Sequence, residues 1–169
     1  MNILKGISST PLDGSTLKIA VITARWNEFI CSKLEEGAIE ALRRAGVDAS
    51  NIETFKVPGA FELPLGARAA ADTGRFDAIV CLGAVIRGET PHFDFVAGEA
   101  ARGIMDVGLD SGIPVTFGVI TADDEEQARE RAGGSKGNKG IEAAEAAVEM
   151  ALLRRRLEGT SEEGVGFRL

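Results

Sequence analysis

Apolar runs and amphipathic stretches alternate along the chain and predict four β-strands, each followed by a helix. The strand signals cover residues 17–24, 52–57, 77–86 and 113–120. Between them, apolar positions recur every three or four residues, which is the spacing of one helix face. The helices are expected over residues 30–45, 62–71, 90–108 and 141–157, with a short helix opening at 121–124 in a capping-box pattern. The third strand is apolar almost throughout, which is typical of a strand buried on both faces of a parallel sheet.

The alternation predicts a single α/β domain over residues 1–169. Because parallel strands are joined by right-handed helical crossovers, we expect a three-layer α/β/α sandwich around a four-stranded parallel sheet, with a flavodoxin-like strand order. A glycine-rich joint over residues 133–140 separates the last two helices. Residues 1–16 form an N-terminal segment, and residues 158–169 form a flexible C-terminal extension that opens with a solvated linker over 158–164.

Composition narrows the class of protein. The 169 residues carry a formal net charge of −7, which disfavours a nucleic-acid partner because phosphate backbones bind clustered Lys and Arg. The two cysteines, Cys31 and Cys81, are too few for a disulfide scaffold or a zinc site. The sequence has no signal-peptide pattern and no apolar run of about 20 residues, so we expect no membrane partner and a cytoplasmic location.

The only histidine follows the third predicted strand, and ligands of open α/β sheets bind beyond the carboxyl ends of the strands. His92 stands next to Thr90 and Pro91, which suit the N-cap and the first position of a helix. Backbone N–H groups at a helix start, together with the helix dipole, bind phosphate or carboxylate. His92 is therefore either a proton-transfer residue beside an anion site or a surface histidine at a helix start.

Two other strand ends carry candidate binding residues. Trp26 is the only tryptophan and stands among polar residues after the first strand, either as a stacking plate for a planar ligand or as a packing residue under a loop. After the second strand, small residues precede Glu62, whose carboxylate can bind ligand hydroxyl groups or simply start a helix.

Arg131 and Lys139 flank the glycine-rich joint. Each is either a phosphate-binding cation or an ordinary solvated side chain. A phosphate loop of the Walker type is excluded because Lys139 is followed by Gly140 rather than by Ser or Thr. A metal centre is not expected, since a single histidine is available and no carboxylates stand at the spacing of oxygen ligands.

Four segments together resemble the lumazine synthases, and the match runs from about Ser15 to Leu157. They are Pro58-Gly59-Ala60-Phe61-Glu62-Leu63-Pro64, Ile86-Arg87-Gly88-Glu89-Thr90-Pro91-His92-Phe93, Thr116-Phe117-Gly118-Val119-Ile120-Thr121 and Gly137-Asn138-Lys139-Gly140. The resemblance implies condensation of 5-amino-6-(D-ribitylamino)uracil with 3,4-dihydroxy-2-butanone 4-phosphate, giving 6,7-dimethyl-8-ribityllumazine, phosphate and water. These reactants contain the amine and the carbonyl already, so no cofactor is expected.

The resemblance also implies roles for single residues. Trp26 matches the aromatic side chain that stacks on the pyrimidine, and His92 matches the proton-transfer residue. The segment that binds the ribityl chain corresponds to Gly59, Ala60 and Glu62. The strand end beneath the heterocycle corresponds to Val85 and Ile86. The positions that contact the phosphate correspond to Gly88, Glu89, Thr90 and Arg131. Phe117 and Lys139 match residues that a neighbouring subunit supplies.

The resemblance therefore implies an assembly of pentamers, with riboflavin synthase as a further partner. The joint has the length that accompanies icosahedral shells, although it contains Gly134-Ser135-Lys136 where many members have a Thr-Lys pair. The alternative function is a catalytically silent flavin- or lumazine-binding protein or container of the same fold. A flavodoxin-like electron carrier is disfavoured, because residues 23–27 hold few hydroxyl groups for a phosphate loop.

Overall fold

The predicted parallel sheet is present. A computed structural model describes residues 11–162, with side chains described as far as Gly159. The strands are β1 (Ile19–Ala24), β2 (Ile52–Val57), β3 (Ala78–Ile86) and β4 (Val115–Ala122), all paired in parallel in the order β2-β1-β3-β4. Their carboxyl ends therefore meet along one edge of the sheet.

Helices cover both faces of this sheet. They are α1 (Glu28–Arg44), α2 (Leu63–Asp72), α3 (His92–Ser111), α4 (Glu125–Glu130) and α5 (Lys139–Glu162). One core lies between the sheet and α1 and α5, and the other lies between the sheet and α2 and α3. Strand β3 contributes to both cores, with Val80 on one face and Ile79 on the other. The three-layer sandwich and the burial of β3 on both faces are confirmed.

The predicted boundaries are wrong by a few residues at two places that bear on the site. Helix α3 begins at His92 rather than at Thr90 and ends only at Ser111, before Gly112 in the left-handed conformation. Strand β4 includes Thr121 and Ala122, which the sequence assigned to a helix start. These two residues remain in the sheet because β3 is nine residues long and pairs with them through its last two positions.

The glycine-rich joint contains a small antiparallel ribbon, β5 (Ala132–Gly134) and β6 (Gly137–Asn138). Gly133 and Gly137 have φ values of 108° and 82°, a region that favours glycine because it has no Cβ. The ribbon leads directly into α5, where a Cβ on Gly140 would lie 2.0 Å from the backbone oxygen of Leu34. The joint thus fixes the start of α5 against α1.

Helix α5 is longer than predicted. It continues to Glu162, so a linker over residues 158–164 is wrong as far as that residue. The continuation is supported by a 2.9 Å ion pair between Arg154 and Glu158, one helical turn apart. Residues 1–10 and 163–169 lie outside the described part of the chain, and so do most of the predicted N-terminal segment and the end of the C-terminal extension. Among the described helices, none has the length and apolar content needed to cross a membrane.

Candidate active site

The segment after β1 is tied to both neighbouring strands. The backbone N–H groups of Arg25 and Trp26 donate to the carbonyls of Val57 and Pro58 at 2.9 and 3.0 Å. Asn27 adopts a left-handed conformation with φ of 60°, and its side-chain amide donates to the carbonyl of Ala84 in β3 at 3.0 Å. The turn that carries Trp26 is therefore held at the carboxyl ends of β1, β2 and β3 together.

The side chain of Trp26 is an exposed plate rather than a packing residue. It is 64% exposed, and the ring lies so close to Gly59 that a Cβ there would be 2.5 Å from Cε3. Of the two interpretations of this tryptophan, burial under a loop is therefore wrong. The remaining interpretation, a surface on which a planar ligand stacks, agrees with the position of the ring.

Glu62 lies next to this ring. Its Oε2 atom accepts a hydrogen bond from the N–H of Gly59 at 3.0 Å, across a short 3-10 turn over Ala60–Glu62. The buried Ala60 and Leu63 side chains pack toward Gly83 of β3, which fixes the turn on the sheet. One carboxylate oxygen is thus held in place, while Oε1 has no partner among the described residues.

His92 is the first residue of α3 and is exposed. The preceding strand ends in Val85 and Ile86, buried and half-buried, and helix α3 packs against the turn that contains Glu62. Pro91 occupies the cap position that was predicted for Thr90, but the Thr90 hydroxyl still accepts a long hydrogen bond of 3.4 Å from the His92 N–H.

The loop between β3 and α3 lies open to solvent. Gly88, Glu89 and Thr90 are all exposed, and a Cβ on Gly88 would meet no atom within 4 Å. Its backbone is thus accessible directly before a helix start, where N–H groups favour anions.

Arg87 was missed as a structural element of this loop. Its Nε atom donates to Asp123 at 3.1 Å, its two terminal nitrogens lie 3.4 Å from Asp94, and its guanidinium stands 4.2 Å from the ring centre of Phe93. The hydrogen bond to Asp123 raises the pKa of the guanidinium, which keeps it charged. An arginine directly after an apolar strand and an acid in the next helical turn were the available signal.

Arg131 and Lys139 lie together at the ribbon. The N–H of Lys139 donates to the carbonyl of Arg131 at 2.9 Å, and Arg131 Nη1 donates to the carbonyl of Gln127 at 2.9 Å. The Lys139 ammonium forms a 2.6 Å ion pair with Glu142. Within the described residues, neither cation contacts His92 or Trp26.

Phe117 and Lys139 share a cavity of about 440 Å³ beside the outer edge of the sheet. Phe117 belongs to the edge strand β4 and is 44% exposed, while Lys139, Glu142 and Ala143 line the side formed by α5. The structure therefore places two sets of the predicted site residues apart. Trp26, Gly59, Ala60 and Glu62 form one cluster at the strand ends, and Phe117 and Lys139 face outward on the β4 edge.

The two cysteines are buried, and the acidic run over residues 123–126 contains the start of α4. Burial raises the pKa of the Cys31 thiol to about 11 and that of Cys81 to about 12, so both are protonated at neutral pH. The Cys31 thiol also donates to the Trp26 carbonyl at 3.3 Å. In the acidic run, Asp124 caps α4 by accepting from the Gln127 N–H at 2.8 Å. Over the described range, no cluster of His, Cys, Asp or Glu is suited to hold a metal ion.

Comparison with known proteins shows the family of the chain. The sequence profile of the 6,7-dimethyl-8-ribityllumazine synthase family matches residues 16–155, which include all four strands and every predicted site residue. A relative from Syntrophus aciditrophicus (strain SB), named 6,7-dimethyl-8-ribityllumazine synthase, is 51% identical over 141 residues, covering 83% of this chain and 92% of the relative. The chain belongs to the 6,7-dimethyl-8-ribityllumazine synthase family.

Proposed function

We propose that this chain catalyses the condensation of 5-amino-6-(D-ribitylamino)uracil with 3,4-dihydroxy-2-butanone 4-phosphate to 6,7-dimethyl-8-ribityllumazine, with release of phosphate and water. The 51% identical relative carries the name of this activity. The structural observation that carries the proposal is the exposed Trp26 plate over Gly59, with the fixed Glu62 carboxylate beside it.

The uracil binds at this cluster. Its flat ring stacks on Trp26, since an aromatic face exposed on one side suits a planar heterocycle. The ends of Val85 and Ile86 lie beneath it, at the carboxyl end of β3. The ribityl hydroxyls donate to the free Oε1 atom of Glu62 and contact the backbone of Gly59 and Ala60.

The phosphorylated butanone binds next to the uracil, at the open loop between β3 and α3. Its phosphate accepts from backbone N–H groups of Gly88, Glu89 and Thr90, where the missing Cβ of Gly88 leaves room for a close approach. Arg131, which lies beside Lys139 at the ribbon, supplies the balancing positive charge from the neighbouring subunit, because a guanidinium can donate two parallel bonds to phosphate.

The reaction then consists mainly of proton transfers. The amine of the uracil attacks the ketone and loses water to form an imine. Proton removal expels the phosphate and leaves an enol, which tautomerises to a new carbonyl. The ribitylamino nitrogen then closes the ring on that carbonyl with loss of a second water. His92 carries protons between these centres, because an imidazole ring can accept a proton at one nitrogen and donate one from the other. Holding both substrates together contributes on the order of 7 to 11 kcal/mol in favourable cases.

A second copy of the chain completes the site. Phe117 and Lys139 line an open cavity on the β4 edge and do not reach the Trp26 cluster of their own chain. This separation supports a shared site, in which each subunit lends these two residues to its neighbour. We accordingly propose homopentamers. The short ribbon at the joint, with no insertion, supports their assembly into an icosahedral shell.

Riboflavin synthase would consume the lumazine product, and we therefore propose it as the functional partner. The proposed location is the cytoplasm. No observation supports the alternative, a catalytically silent flavin- or lumazine-binding protein or container. Its expected sign, replacement of His92, Arg131 or Lys139, is not found in the sequence.

One experiment separates these functions. Both substrates are mixed with the purified chain, lumazine fluorescence is followed, and the particle mass is measured in the same sample. The enzyme gives a fluorescent product together with a mass of a pentamer or a multiple of it. An intact assembly without product would favour the container.

A further inference from the structure

Arg87 joins three parts of the molecule that meet at the proposed site. Its backbone N–H donates to the Ala122 carbonyl at 2.9 Å, which extends the pairing of β3 with β4 by one residue. Its side chain bonds Asp123 at 3.1 Å in the loop after β4. The same guanidinium contacts Asp94 and the ring of Phe93, both in the first turn of α3.

That first turn carries His92, and its Phe93 side chain also packs against the core between the sheet and helices α2 and α3. Helix ends fray because their first N–H groups have no partner within the helix. Here the internal contacts are a long bond of 3.4 Å from the His92 N–H to Thr90 and a bond of 3.0 Å from the Asp94 N–H to Pro91. The guanidinium in addition joins the two residues directly after His92 to Asp123 at the end of β4.

We propose that Arg87 is a positioning residue that acts through His92. By holding Phe93 and Asp94 against the β4 end, Arg87 fixes the orientation from which the imidazole reaches the reacting centres. The inference rests on the proposed function, since it assigns Arg87 to the step that His92 performs. Arg87 itself touches neither substrate.

The contacts also predict what Arg87 does not do. Its ion pairs are exposed, with 44% of the arginine side chain accessible, so their share of the folding stability is small. The Trp26 and Glu62 cluster is held by other bonds, to Pro58 and Gly59. Removal of the guanidinium should therefore lower kcat while leaving the melting temperature and the KM for the uracil nearly unchanged.

The test is a double-mutant cycle between Arg87 and His92. Arg87→Met in the native chain is expected to lower kcat on the order of tenfold, because a misplacement of about 1 Å can cost up to 10²-fold. Arg87→Lys should recover part of the loss, since an ammonium can bond one carboxylate but cannot span both. In the His92→Ala background, Arg87→Met should change kcat by less than about twofold, because coupled residues are not additive.

Arg75→Met is the matched control. Arg75 also pairs with a carboxylate, Glu53 at 2.7 Å, and stands 4.7 Å from a ring centre, that of Phe76, but it lies before β3 at the opposite edge of the sheet. It should leave kcat unchanged. Should Arg87→Met fail to assemble, Asp94→Asn breaks the same contact from the helix side and enters the cycle in its place.

The outcomes are distinct. Equal loss from Arg87→Met in both backgrounds, or no loss in the native chain, would overturn the positioning role. Absence of lumazine formation by the native chain would instead overturn the proposed function, and full activity of His92→Ala would overturn the proton-transfer role before Arg87 is considered.

Discussion

The indole ring of Trp26 rests on the backbone of Gly59, so that a single methyl group at position 59 would lie 2.5 Å from Cε3. The two residues belong to different strand ends, and the bond from the Trp26 N–H to Pro58 holds those ends together. The ring is thereby fixed as an exposed surface, and its angle depends on a position that has no side chain.

Gly59→Ala tests this dependence. We expect the added methyl to displace the indole and raise the KM for the uracil substrate by about tenfold, comparable to the loss of a stacking contact worth on the order of 1 kcal/mol. Since Trp26 is the only tryptophan, its fluorescence reports the displacement directly. Gly159→Ala is the control, because a Cβ there meets no atom within 4 Å. An unchanged KM and emission spectrum in Gly59→Ala would contradict the stacking role.

Arg131→Ala tests the phosphate end of the site. We expect the KM for the phosphorylated butanone to rise by about tenfold or more, since a charge-assisted bond contributes roughly 1.5 to 3 kcal/mol, while the KM for the uracil stays nearly constant. Arg129→Ala serves for comparison, because that guanidinium is already paired with Glu125 at 2.6 Å. The assignment fails if the two variants have the same KM for the butanone.

Subunit mixing tests the shared site. Chains with His92→Ala and chains with Lys139→Ala are each expected to have low activity. When equal amounts are unfolded and reassembled together, about a quarter of the sites would join an intact His92 to an intact Lys139 of a neighbour in a ring of identical subunits. Recovered activity above that of either parent supports the exchange of residues. Activity that stays at the mean of the two parents would mean that each chain holds a complete site.

The buried thiols give a pH-dependent stability. Their ordinary pKa of 9.0 is raised to about 11 for Cys31 and about 12 for Cys81, so the unfolded chain loses these protons at a lower pH than the folded one. Their contribution is therefore complete below pH 9 and declines from pH 9 to 11, by about 1.4 kcal/mol per pH unit for each thiol. Denaturant unfolding at pH 8 and 10.5 measures this decline, which Cys31→Ala should reduce. A decline that is identical in the native chain and the variant would refute the assignment.

Much of this fold follows from side-chain pattern. The apolar run of β3 and the helical spacing of α1 depend on local sequence, and both were predicted within a few residues. The end of β4 was not, because Thr121 and Ala122 are held in the sheet by pairing with a long neighbour rather than by their own side chains. Strand pairing acts across the fold, and a single-sequence pattern does not contain it.

The site residues differ in the same way, since local sequence predicts some of them and contacts across the fold determine the others. Placement after a strand was enough to select Trp26, Glu62 and His92, because parallel strands end at a common edge. The role of Arg87 was only partly indicated, since Asp94 lies in the next helical turn but the other partner, Asp123, is 36 residues away and belongs to another strand end. Likewise, the outward position of Phe117 became apparent only when β4 was placed at the edge of the sheet.

The stoichiometry of the reaction tests the proposed condensation most directly. The purified chain is incubated with both substrates, and lumazine and inorganic phosphate are measured in the same time course, with His92→Ala run in parallel. We predict one phosphate released for each lumazine formed, at a rate that falls on the order of 10²-fold in His92→Ala without reaching zero. If the native, assembled chain forms no lumazine above the uncatalysed background, the proposed activity is contradicted.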